Sequence, residues 1–338
     1  MAILVTGGAG YIGGHMVLAL VDAGEQVVVL DDLSTGFAWA VPAAATLIAG
    51  DIGDEAKLRA IAAAHQIDTI AHFAAKIVVP DSVSDPLGYY LNNTVKARTL
   101  LEFATKNGIG NFIFSSTAAV YGEPTANPIF EEALPAPINP YGRSKLMVEW
   151  MLEDAARAHG LSYVALRYFN VAGADPKGRL GQSASNATHL IKVAVQAALG
   201  VRKGLDIFGT DYPTPDGTCV RDYIQVSDLV DAHVLALKHL RAGGESLVLN
   251  CGYGHGYSVS EVVDVVKDVS GVDFETRRVG RRAGDPAALV AGADRIRAKL
   301  GWVPRHDNLR EIVTQAYEWE RKLRDGTVPK ARASSSHF

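Results

Sequence analysis

The amino-terminal residues combine a short apolar strand, a glycine-spaced loop and a helix. Residues 2–6 (AILVT) form an apolar run typical of a strand that is buried on both faces of a parallel sheet. The loop that follows carries Gly7, Gly10 and Gly13, and the helical pattern after it ends at Gly24. Glycines at this spacing let the backbone turn sharply and approach a pyrophosphate, which the amides at the helix start can hold. The pattern therefore predicts a dinucleotide-binding unit rather than an ordinary glycine-rich turn.

A second apolar strand, residues 26–30, ends at Asp31 and Asp32. A carboxylate about 20 residues beyond the glycines is placed to accept hydrogen bonds from ribose hydroxyls, and it would repel a 2′-phosphate. Because no arginine follows nearby, the sequence favours NAD over NADP. The alternative is that the two aspartates only begin the loop of residues 33–41.

Strands and helices continue to alternate through the first half of the chain. We expect strands at 46–49, 69–73, 111–115 and 161–166, and helices at 55–65, 87–107 and from 140 onward. Strands separated by helices form right-handed crossovers, which predicts an α/β fold with a doubly wound (Rossmann) parallel sheet. Asp51 follows one of these strands, at the edge where such sheets bind ligands.

The alternation fades after Asn170, where long polar and turn-rich loops begin. We therefore expect a NAD-binding domain over residues 1–168. Residues 169–325 are expected to form mainly a smaller, mixed C-terminal substrate-binding domain, with some chain returning to the Rossmann sheet. Residues 331–338 lack periodicity, and we expect residues 326–338 to be a flexible tail.

Two ionisable residues lie four apart at the start of the helix near residue 140. Asn139 and Pro140 suit the cap and first helical position, so Tyr141 and Lys145 share one helix face. A cation about 4–5 Å from the phenol would favour phenolate by roughly 4 kcal/mol at an effective dielectric near 20. That is about three pKa units, enough to let a tyrosine take a proton from a sugar hydroxyl at neutral pH. Taken alone, the pair is weak evidence for a catalytic site, because a Tyr and a Lys at this spacing on a helix usually lie at the surface or at the edge of the core.

The strand at 111–115 delivers hydroxyl groups to the same edge of the sheet. Thr117 follows it and can reach the cleft of Tyr141, where it would bond a substrate hydroxyl and relay its proton; a polar strand end is the alternative. Arg278, Arg281 and Arg282 cluster ahead of Asp285 and could clamp a diphosphate together with Arg221, although scattered arginines are usually solvated. Neither a nucleophile elbow nor a Ser-His-Asp set occurs, which argues against acyl transfer.

Composition excludes several classes of protein. A net charge of −4 over 338 residues, without basic runs, argues against nucleic acid as a partner. The two cysteines, Cys219 and Cys251, rule out a disulfide framework and favour a reducing compartment. No apolar run reaches membrane-spanning length, and Met1 leads directly into the first strand without a signal peptide. We expect a soluble, cytoplasmic protein that is not bound to a membrane, and the ten histidines suggest no metal site.

The glycine loop, Asp31, residues 115–117 (SST) and Tyr141-x-x-x-Lys145 together resemble the extended short-chain dehydrogenase/reductase family. Within it, residues 141–149 (YGRSKLMVE), 166–170 (LRYFN) and 209–224 (GTDYPTPDGTCVRDYI) resemble UDP-glucose (UDP-galactose) 4-epimerases. The likeness extends from the first residue to about residue 317. It implies interconversion of UDP-galactose and UDP-glucose by inversion at C4, through a transient 4-keto sugar and enzyme-bound NAD. It also implies a homodimer formed through helices 87–107 and 140–159.

The resemblance also implies a set of site residues. Tyr141 matches the catalytic base, Lys145 its electrostatic partner and Thr117 the family's Ser/Thr. The cofactor-binding positions are Gly7, Gly10, Tyr11, Ile12, Gly13, Asp31, Asp32, Asp51, Ile52, Phe73, Ala74, Asn92, Ser115, Tyr141, Lys145 and Tyr168. The substrate-binding positions are Thr117, Tyr141, Asn170, His189, Leu190, Phe208, Arg221, Arg282, Asp285 and Leu289.

Other readings of the same fold stay open. The substrate could be a UDP-pentose. It could also be a UDP-N-acetylhexosamine, because Leu289 is intermediate in bulk between the tyrosine of hexose-restricted members and the smaller residues of N-acetyl-accepting members. A nucleotide-sugar dehydratase would carry Asp-Glu after the threonine, where this chain has Ala118 and Ala119. A non-catalytic NAD-sensing protein usually loses the Tyr or the Lys, and both are kept.

Overall fold

The computed structural model describes residues 1–184, 187–282 and 285–328. Its strands, in chain order, are β1 (Ala2–Thr6), β2 (Gln26–Asp31), β3 (Thr46–Ala49), β4 (Ile67–His72), β5 (Asn111–Ser115), β6 (Ser162–Tyr168), β7 (Asn170–Ala172), β8 (Leu205–Phe208), β9 (Val220–Arg221), β10 (Tyr223–Gln225), β11 (Leu247–Cys251), β12 (Tyr257–Ser258), β13 (Thr276–Val279) and β14 (Ala288–Leu289). Its α-helices are α1 (Tyr11–Asp22), α2 (Glu55–Ala64), α3 (Val79–Ser84), α4 (Pro86–Tyr89), α5 (Lys96–Lys106), α6 (Pro140–His159), α7 (Leu190–Ala198), α8 (Val226–Arg241), α9 (Val259–Ser270), α10 (Asp294–Leu300) and α11 (Leu309–Arg324). A π-helical segment, Tyr90–Val95, joins α4 to α5, and 3₁₀ turns span Ala38–Ala40 and Ala118–Tyr121.

The central sheet is parallel and has the strand order β11-β6-β5-β4-β1-β2-β3. From β1 the chain winds outward first in one direction, to β2 and β3, and then in the other, from β4 to β6. The expected doubly wound Rossmann sheet is therefore confirmed. The strand order reverses beside β1, and the carboxyl ends of β1 and β4 form the crevice in which such sheets bind ligands.

Apolar residues on both faces of the sheet explain why its strands are continuous hydrophobic runs. In β1, Ile3 and Val5 pack into one core cluster with Met16 of α1, whereas Leu4 packs into the opposite cluster with Leu100 of α5. All five of these side chains are fully buried. Helices therefore cover both faces, as the pattern of residues 2–6 predicted.

The second half of the chain forms small sheets beside the carboxyl edge of the central one. Strand β10 pairs with β7, β13 pairs with β8, and β9 lies between β12 and β14. Strand β11 belongs to residues 169–325 but pairs with β6 in the central sheet. Within the expected tail, Val328 is 8% exposed and packs with Trp319, whereas residues 329–338 lie outside the described residues.

Helix α6 begins and ends where the sequence indicates. The Asn139 side chain accepts a hydrogen bond from the Gly142 amide at 2.9 Å, Pro140 occupies the first turn, and Gly160 ends the helix with a φ of 70°. The expected single helix over residues 87–107 is wrong in one respect. The chain keeps a helical course there, but it passes through the π-helical turn of residues 90–95.

The loop after β2 and the loop after β7 both contact α11. Trp39 stacks on Phe37 and lies 6.3 Å, between ring centroids, from Trp319 of α11. The indole nitrogen of Trp319 donates to Ser183 Oγ at 3.2 Å. Because these two loops carry predicted cofactor and substrate residues, α11 supports both sides of the cleft.

Candidate active site

The glycine loop forms a tight cradle between β1 and α1. Gly7 has a φ of +73°, and a Cβ on it would lie 2.5 Å from the Ala74 amide nitrogen. A Cβ on Gly13 would lie 2.2 Å from the Gly7 carbonyl oxygen. The first turn of α1 begins at Gly10 without a side-chain cap, so its amides remain available to an anion. This geometry fits a pyrophosphate, as the spacing of the glycines predicted.

The neighbouring predicted residues hold this cradle in place. Tyr11 donates from its hydroxyl to the Gly173 carbonyl oxygen at 2.8 Å, and both Tyr11 and Ile12 are partly buried against the core. The Phe73 amide donates to the Thr6 carbonyl at 2.9 Å, which places Phe73 and Ala74 directly against the loop. The Phe73 ring lies 4.9 Å from the ring of His233 on α8.

Asp31 lies at the end of β2, beside the same loop. One carboxylate oxygen accepts from the Ala9 amide at 2.9 Å and the other from the Leu33 amide at 2.8 Å. Burial raises the pKa of this carboxyl, and the two backbone amides oppose the rise. Asp32 is exposed and accepts hydrogen bonds from Ser34. Asp31 therefore braces the glycine loop in addition to any ligand that it binds.

Asp51 and Asn92 meet at Lys96, a residue that the sequence reasoning did not single out. The Lys96 ammonium contacts the Asp51 carboxylate and donates to Asn92 Oδ1 at 3.3 Å. This cation, together with the Gly53 amide, outweighs the effect of burial and lowers the pKa of Asp51. Ile52, between Asp51 and Gly53, is 6% exposed and belongs to the core.

The π-helical turn presents Asn93 to the loop that follows β4. Asn93 Oδ1 accepts from the Lys76 amide at 2.9 Å, and Nδ2 donates to the Lys76 carbonyl at 2.9 Å and to Ser144 Oγ at 3.1 Å. One buried amide thus fixes this loop against α6. The sequence offered no signal for it, because an Asn inside a helical pattern normally indicates an exposed face.

Tyr141, Lys145 and Thr117 come together at the carboxyl end of β5. The Lys145 ammonium is buried, donates to the Ser115 carbonyl at 2.8 Å and lies 5.0 Å from the centroid of the Phe114 ring. Thr117 Oγ1 accepts from the Ala119 amide at 3.1 Å, and the Thr117 side chain also hydrogen-bonds Tyr141. The structure thus brings together the phenol of Tyr141, the ammonium of Lys145 and the hydroxyl of Thr117, as the sequence predicted.

The expected lowering of the Tyr141 pKa by Lys145 is wrong. Burial raises the pKa of Tyr141 instead of lowering it, and the hydrogen bond with Thr117 only opposes that rise. Lys145 does not offset this rise: its ammonium donates to the Ser115 carbonyl, and burial lowers its own pKa to about 7. A depressed Tyr141 pKa therefore requires a further positive charge close to the phenol.

Ser115 and Tyr168, both predicted cofactor positions, contact each other through their hydroxyl groups. Tyr168 ends β6 and Ser115 ends the neighbouring β5, so the contact follows from the pairing of these strands. Burial raises the pKa of Tyr168 well above its usual value. A neutral Tyr168 beside Ser115 and the Tyr141 helix is thus part of the wall of the cleft.

Three predicted substrate positions, Asn170, His189 and Leu190, line a small cavity of about 20 Å³ together with Gln182 and Trp319. Gln182 Nε2 and His189 Nδ1 are 3.0 Å apart, and burial lowers the pKa of His189. The cavity does not reach Tyr141, so it can form only one end of an extended substrate cleft.

The other predicted substrate positions pair with one another. The Arg282 guanidinium stacks on the Phe208 ring at 4.2 Å, and Arg221 Nη2 lies 3.6 Å from Asp285 Oδ1. Leu289 of β14 is aligned with Arg221 of β9 and packs against the cluster that contains Val120 and Leu146.

The suggested four-arginine clamp is only partly supported. Arg281 is exposed, contacts Asp211 at 2.8 Å and stacks on Tyr212, so it is engaged on the outer surface. Arg278 lies in the exposed strand β13. Arg221, which is 9% exposed, and Arg282, which is exposed and stacks on Phe208, remain as candidates for binding a diphosphate.

Residues 3–252 match the model of the NAD dependent epimerase/dehydratase family. The chain belongs to this family. A UDP-glucose 4-epimerase from Azospirillum brasilense is 61% identical over 321 residues, which cover 95% of this chain and 92% of the relative. Family members are NAD-dependent enzymes, in agreement with the glycine loop, and the resemblance drawn from the sequence motifs is confirmed.

Solved structures of the family superimpose closely on this chain. A UDP-glucose 4-epimerase from Brucella ovis in complex with NAD is 44% identical, has a TM-score of 0.91, and covers 94% of this chain and 97% of its own. A UDP-glucose-4-epimerase from Stenotrophomonas maltophila with bound NAD and formylated UDP-arabinopyranose is 38% identical, has a TM-score of 0.93, and covers 96% and 99%.

No helix within residues 1–184, 187–282 and 285–328 combines the length and the apolar character needed to span a bilayer. In the same ranges, no three His, Cys, Asp or Glu side chains are grouped as metal ligands would be.

Proposed function

We propose that this protein interconverts UDP-galactose and UDP-glucose by inverting the configuration at C4 of the sugar. The observation that carries the proposal is the meeting of Thr117, Tyr141 and Lys145 at the carboxyl end of β5, next to the glycine cradle. The names of the relatives, UDP-glucose 4-epimerases at up to 61% identity, support the same activity.

The residues at the cradle fit NAD. Gly7 and Gly13 leave space that a side chain would fill, the uncapped start of α1 faces an anion, and Asp31 disfavours a 2′-phosphate. Asp51, Asn92, Phe73, Ser115 and Tyr168 complete the proposed cofactor contacts. NAD held there would supply the hydride acceptor in its oxidised form, the hydride donor of the return step in its reduced form and, when oxidised, a positive charge near the reacting carbon.

The protein's own groups manage the proton and the orientation of the sugar. Tyr141 takes the proton of the 4-hydroxyl group and later returns it, Thr117 hydrogen-bonds the reacting oxygen, and Lys145 stabilises the charge that develops on the phenol. Arg221 and Arg282 hold the diphosphate, while Asn170, His189 and Leu190 hold the remainder of the nucleotide. The transient 4-keto sugar is then free to present its other face, because only its diphosphate is fixed.

The decisive experiment is the replacement Tyr141→Phe, which keeps the ring and removes the base. Conversion of UDP-galactose to UDP-glucose, without added cofactor, should fall by at least about 1,000-fold, consistent with the upper part of the range of general base catalysis. NAD released by acid should remain at the wild-type amount, because the aromatic ring still fills its place. A decrease of less than about tenfold would show that Tyr141 is not the base.

Two alternatives make different predictions in the same assay. A non-catalytic NAD-sensing protein would retain NAD and convert no sugar nucleotide. An epimerase for UDP-N-acetylhexosamines or UDP-pentoses would convert those compounds faster than UDP-galactose. Leu289 favours the hexose pair, because a leucine leaves less room for an N-acetyl group than a cysteine or serine.

We further propose that the protein is a cytoplasmic homodimer. Val79, Val83, Leu87, Leu91 and Val95 recur every four residues, and each is between 37% and 79% exposed. Trp150 of α6, the neighbouring helix, is 55% exposed. An exposed apolar stripe of this length is typical of a subunit interface. The buried, unpaired Cys219 and Cys251 are compatible with a reducing compartment.

A further inference from the structure

A buried ion pair lies one helical turn beyond Lys145. Glu149 and Arg167 have side chains that are 5% and 7% exposed, and the guanidinium binds the carboxylate through two nitrogens, with Arg167 Nε 3.0 Å from Glu149 Oε1. Neither residue is among the predicted site positions. A buried pair of this kind is weak evidence for stability alone, because apolar residues of similar volume often serve as well.

Glu149 also binds the strand end that carries Thr117. Its Oε1 accepts a hydrogen bond from the hydroxyl of Ser116, the residue directly before Thr117. Lys145 donates to the carbonyl of Ser115, the residue before that. Because Lys145 and Glu149 are four apart on one face of α6, they attach the helix to consecutive residues of β5.

The ion pair is itself fixed from the 3₁₀ turn of residues 118–121 and from β11. Arg167 Nη1 donates to the Tyr121 hydroxyl at 2.9 Å, and that hydroxyl donates to Asn250 Oδ1 of β11 at 2.7 Å. Arg167 precedes Tyr168, whose hydroxyl contacts Ser115. The carboxylate therefore cannot turn away from Ser116 without breaking a network of satisfied hydrogen bonds.

Charge matters as much as position here, because Lys145 is buried. Burial lowers its pKa to about 7, and the nearby Glu149 carboxylate raises that pKa. The other groups facing this region are Tyr141 on α6, His72 on β4, whose pKa is lowered to about 3 and which is thus neutral, and Arg167 and Tyr168 on β6. Glu149 is therefore the group that favours the charged form of Lys145.

We propose that Glu149 is a positioning residue for the reaction: its carboxylate keeps the Lys145 ammonium charged, and its hydrogen bond to Ser116 fixes the place of Thr117. The inference rests on the proposed function, since it assigns a role within the Tyr141 proton transfer. Glu149 acts through Lys145 and Thr117 and does not contact the substrate.

The replacement Glu149→Gln tests the charge. Glutamine keeps the acceptor for Ser116 but removes the negative charge, so the pKa of Lys145 falls and the ammonium is lost at lower pH. The alkaline limb of the kcat–pH profile should move to lower pH by about one unit, which is a tenfold change in the proton equilibrium. The ratio of mutant to wild-type kcat should thus decrease as the pH rises. In the separate variant Glu149→Asp, which keeps the negative charge, the alkaline limb of the kcat–pH profile should lie closer to its wild-type position.

The matched control is Asp228→Asn. Asp228 is a fully buried carboxylate that accepts from the Tyr253 hydroxyl at 2.7 Å and from the Arg305 and His306 amides, and it shares no partner with Glu149. Its replacement should lower thermal stability without moving the alkaline limb. A shift as large as that of Glu149→Gln would overturn the proposal.

Ser116→Ala tests whether the hydrogen bond from Ser116 to Glu149 fixes the place of Thr117. This variant can still be measured if Glu149→Gln does not fold. It removes the hydrogen bond to Glu149 without changing any charge, so kcat should fall about tenfold with KM and the alkaline limb unchanged. Wild-type kcat in this variant, or a constant mutant-to-wild-type ratio for Glu149→Gln across the pH range, would overturn the proposal. An inactive wild-type protein would instead overturn the proposed function, and this inference with it.

Discussion

At the scale of single residues, a substitution at Leu289 tests which sugar nucleotides the protein accepts. It packs beside Val120 and Leu146 and is aligned with Arg221. Leu289→Tyr should suppress turnover of UDP-N-acetylgalactosamine by roughly 10- to 100-fold and spare that of UDP-galactose, since selection by one apolar side chain is worth about 1–3 kcal/mol. The measurement is the ratio of the two kcat/KM values in the mutant and the wild type. An unchanged ratio would mean that Leu289 belongs to the core and does not limit the sugar pocket.

Asp31 carries the expectation about the cofactor. Its two oxygens accept from the amides of Ala9 and Leu33 beside the glycine loop, and we expect the carboxylate to repel a 2′-phosphate bound there. We expect the protein to purify with NAD, identified by chromatography after acid release. A preparation containing mainly NADP would refute this assignment. Asp31→Asn, which removes the charge and keeps one of the two acceptor oxygens, should relax the preference for NAD.

The residue scale also shows where sequence reasoning reaches its limit. Spacing placed Tyr141 and Lys145 on one face correctly, but it gave the wrong direction for the Tyr141 pKa. The pattern could not reveal that Lys145 would bond the Ser115 carbonyl, because that contact depends on how α6 packs on β5. Glu149 likewise reads as an ordinary helical glutamate until Arg167, 18 residues further on, meets it in the core.

At the scale of elements, the glycine loop is the strongest link between sequence and structure. A Cβ on Gly13 would lie 2.2 Å from the Gly7 carbonyl, so Gly13→Ala forces α1 away from β1. We expect loss of bound NAD and a melting temperature lowered by several degrees, since such overpacking costs about 1–3 kcal/mol. Both are measured on the purified protein by acid release and calorimetry.

Gly110→Ala is the matched control for this change. An added Cβ there meets no atom within 4 Å, and the residue precedes β5 far along the chain from the loop. NAD content should match the wild type. If Gly13→Ala also retained full NAD content, the cradle would not be the pyrophosphate site.

Elements of the Rossmann sheet were predictable because each is specified locally. Residues 2–6 and 111–115 are apolar runs with clear ends, and both became buried parallel strands. The small sheets were not predictable, because strands such as β9 and β14 contain only two residues each and exist only through pairing with neighbouring strands from distant parts of the chain. The position of β11 beside β6 is likewise set by packing between distant segments.

At the scale of the whole molecule, the exposed stripe on residues 79–95 predicts the oligomeric state. Leu91 is 55% exposed in the middle of the stripe, and Leu91→Glu would bury two charges in a symmetric interface. We expect a dimer for the wild type and a monomer for this variant in sedimentation equilibrium. Val303→Glu, at a position that is 74% exposed between α10 and α11, should remain dimeric. A monomeric wild type, or a dimeric Leu91→Glu, would contradict the assignment.

The π-helical turn of residues 90–95 limits where this chain can lose a residue. Removing one residue from 90–95 would rotate everything on one side of it by about 100° relative to the other. Either Asn93 would then leave the backbone of Lys76, or Leu100 and Ala104 of α5 would leave the core. The segment can therefore accept many substitutions on its outer face, but a deletion of a single codon there would separate the wall of the cofactor cleft from the helix that supports it.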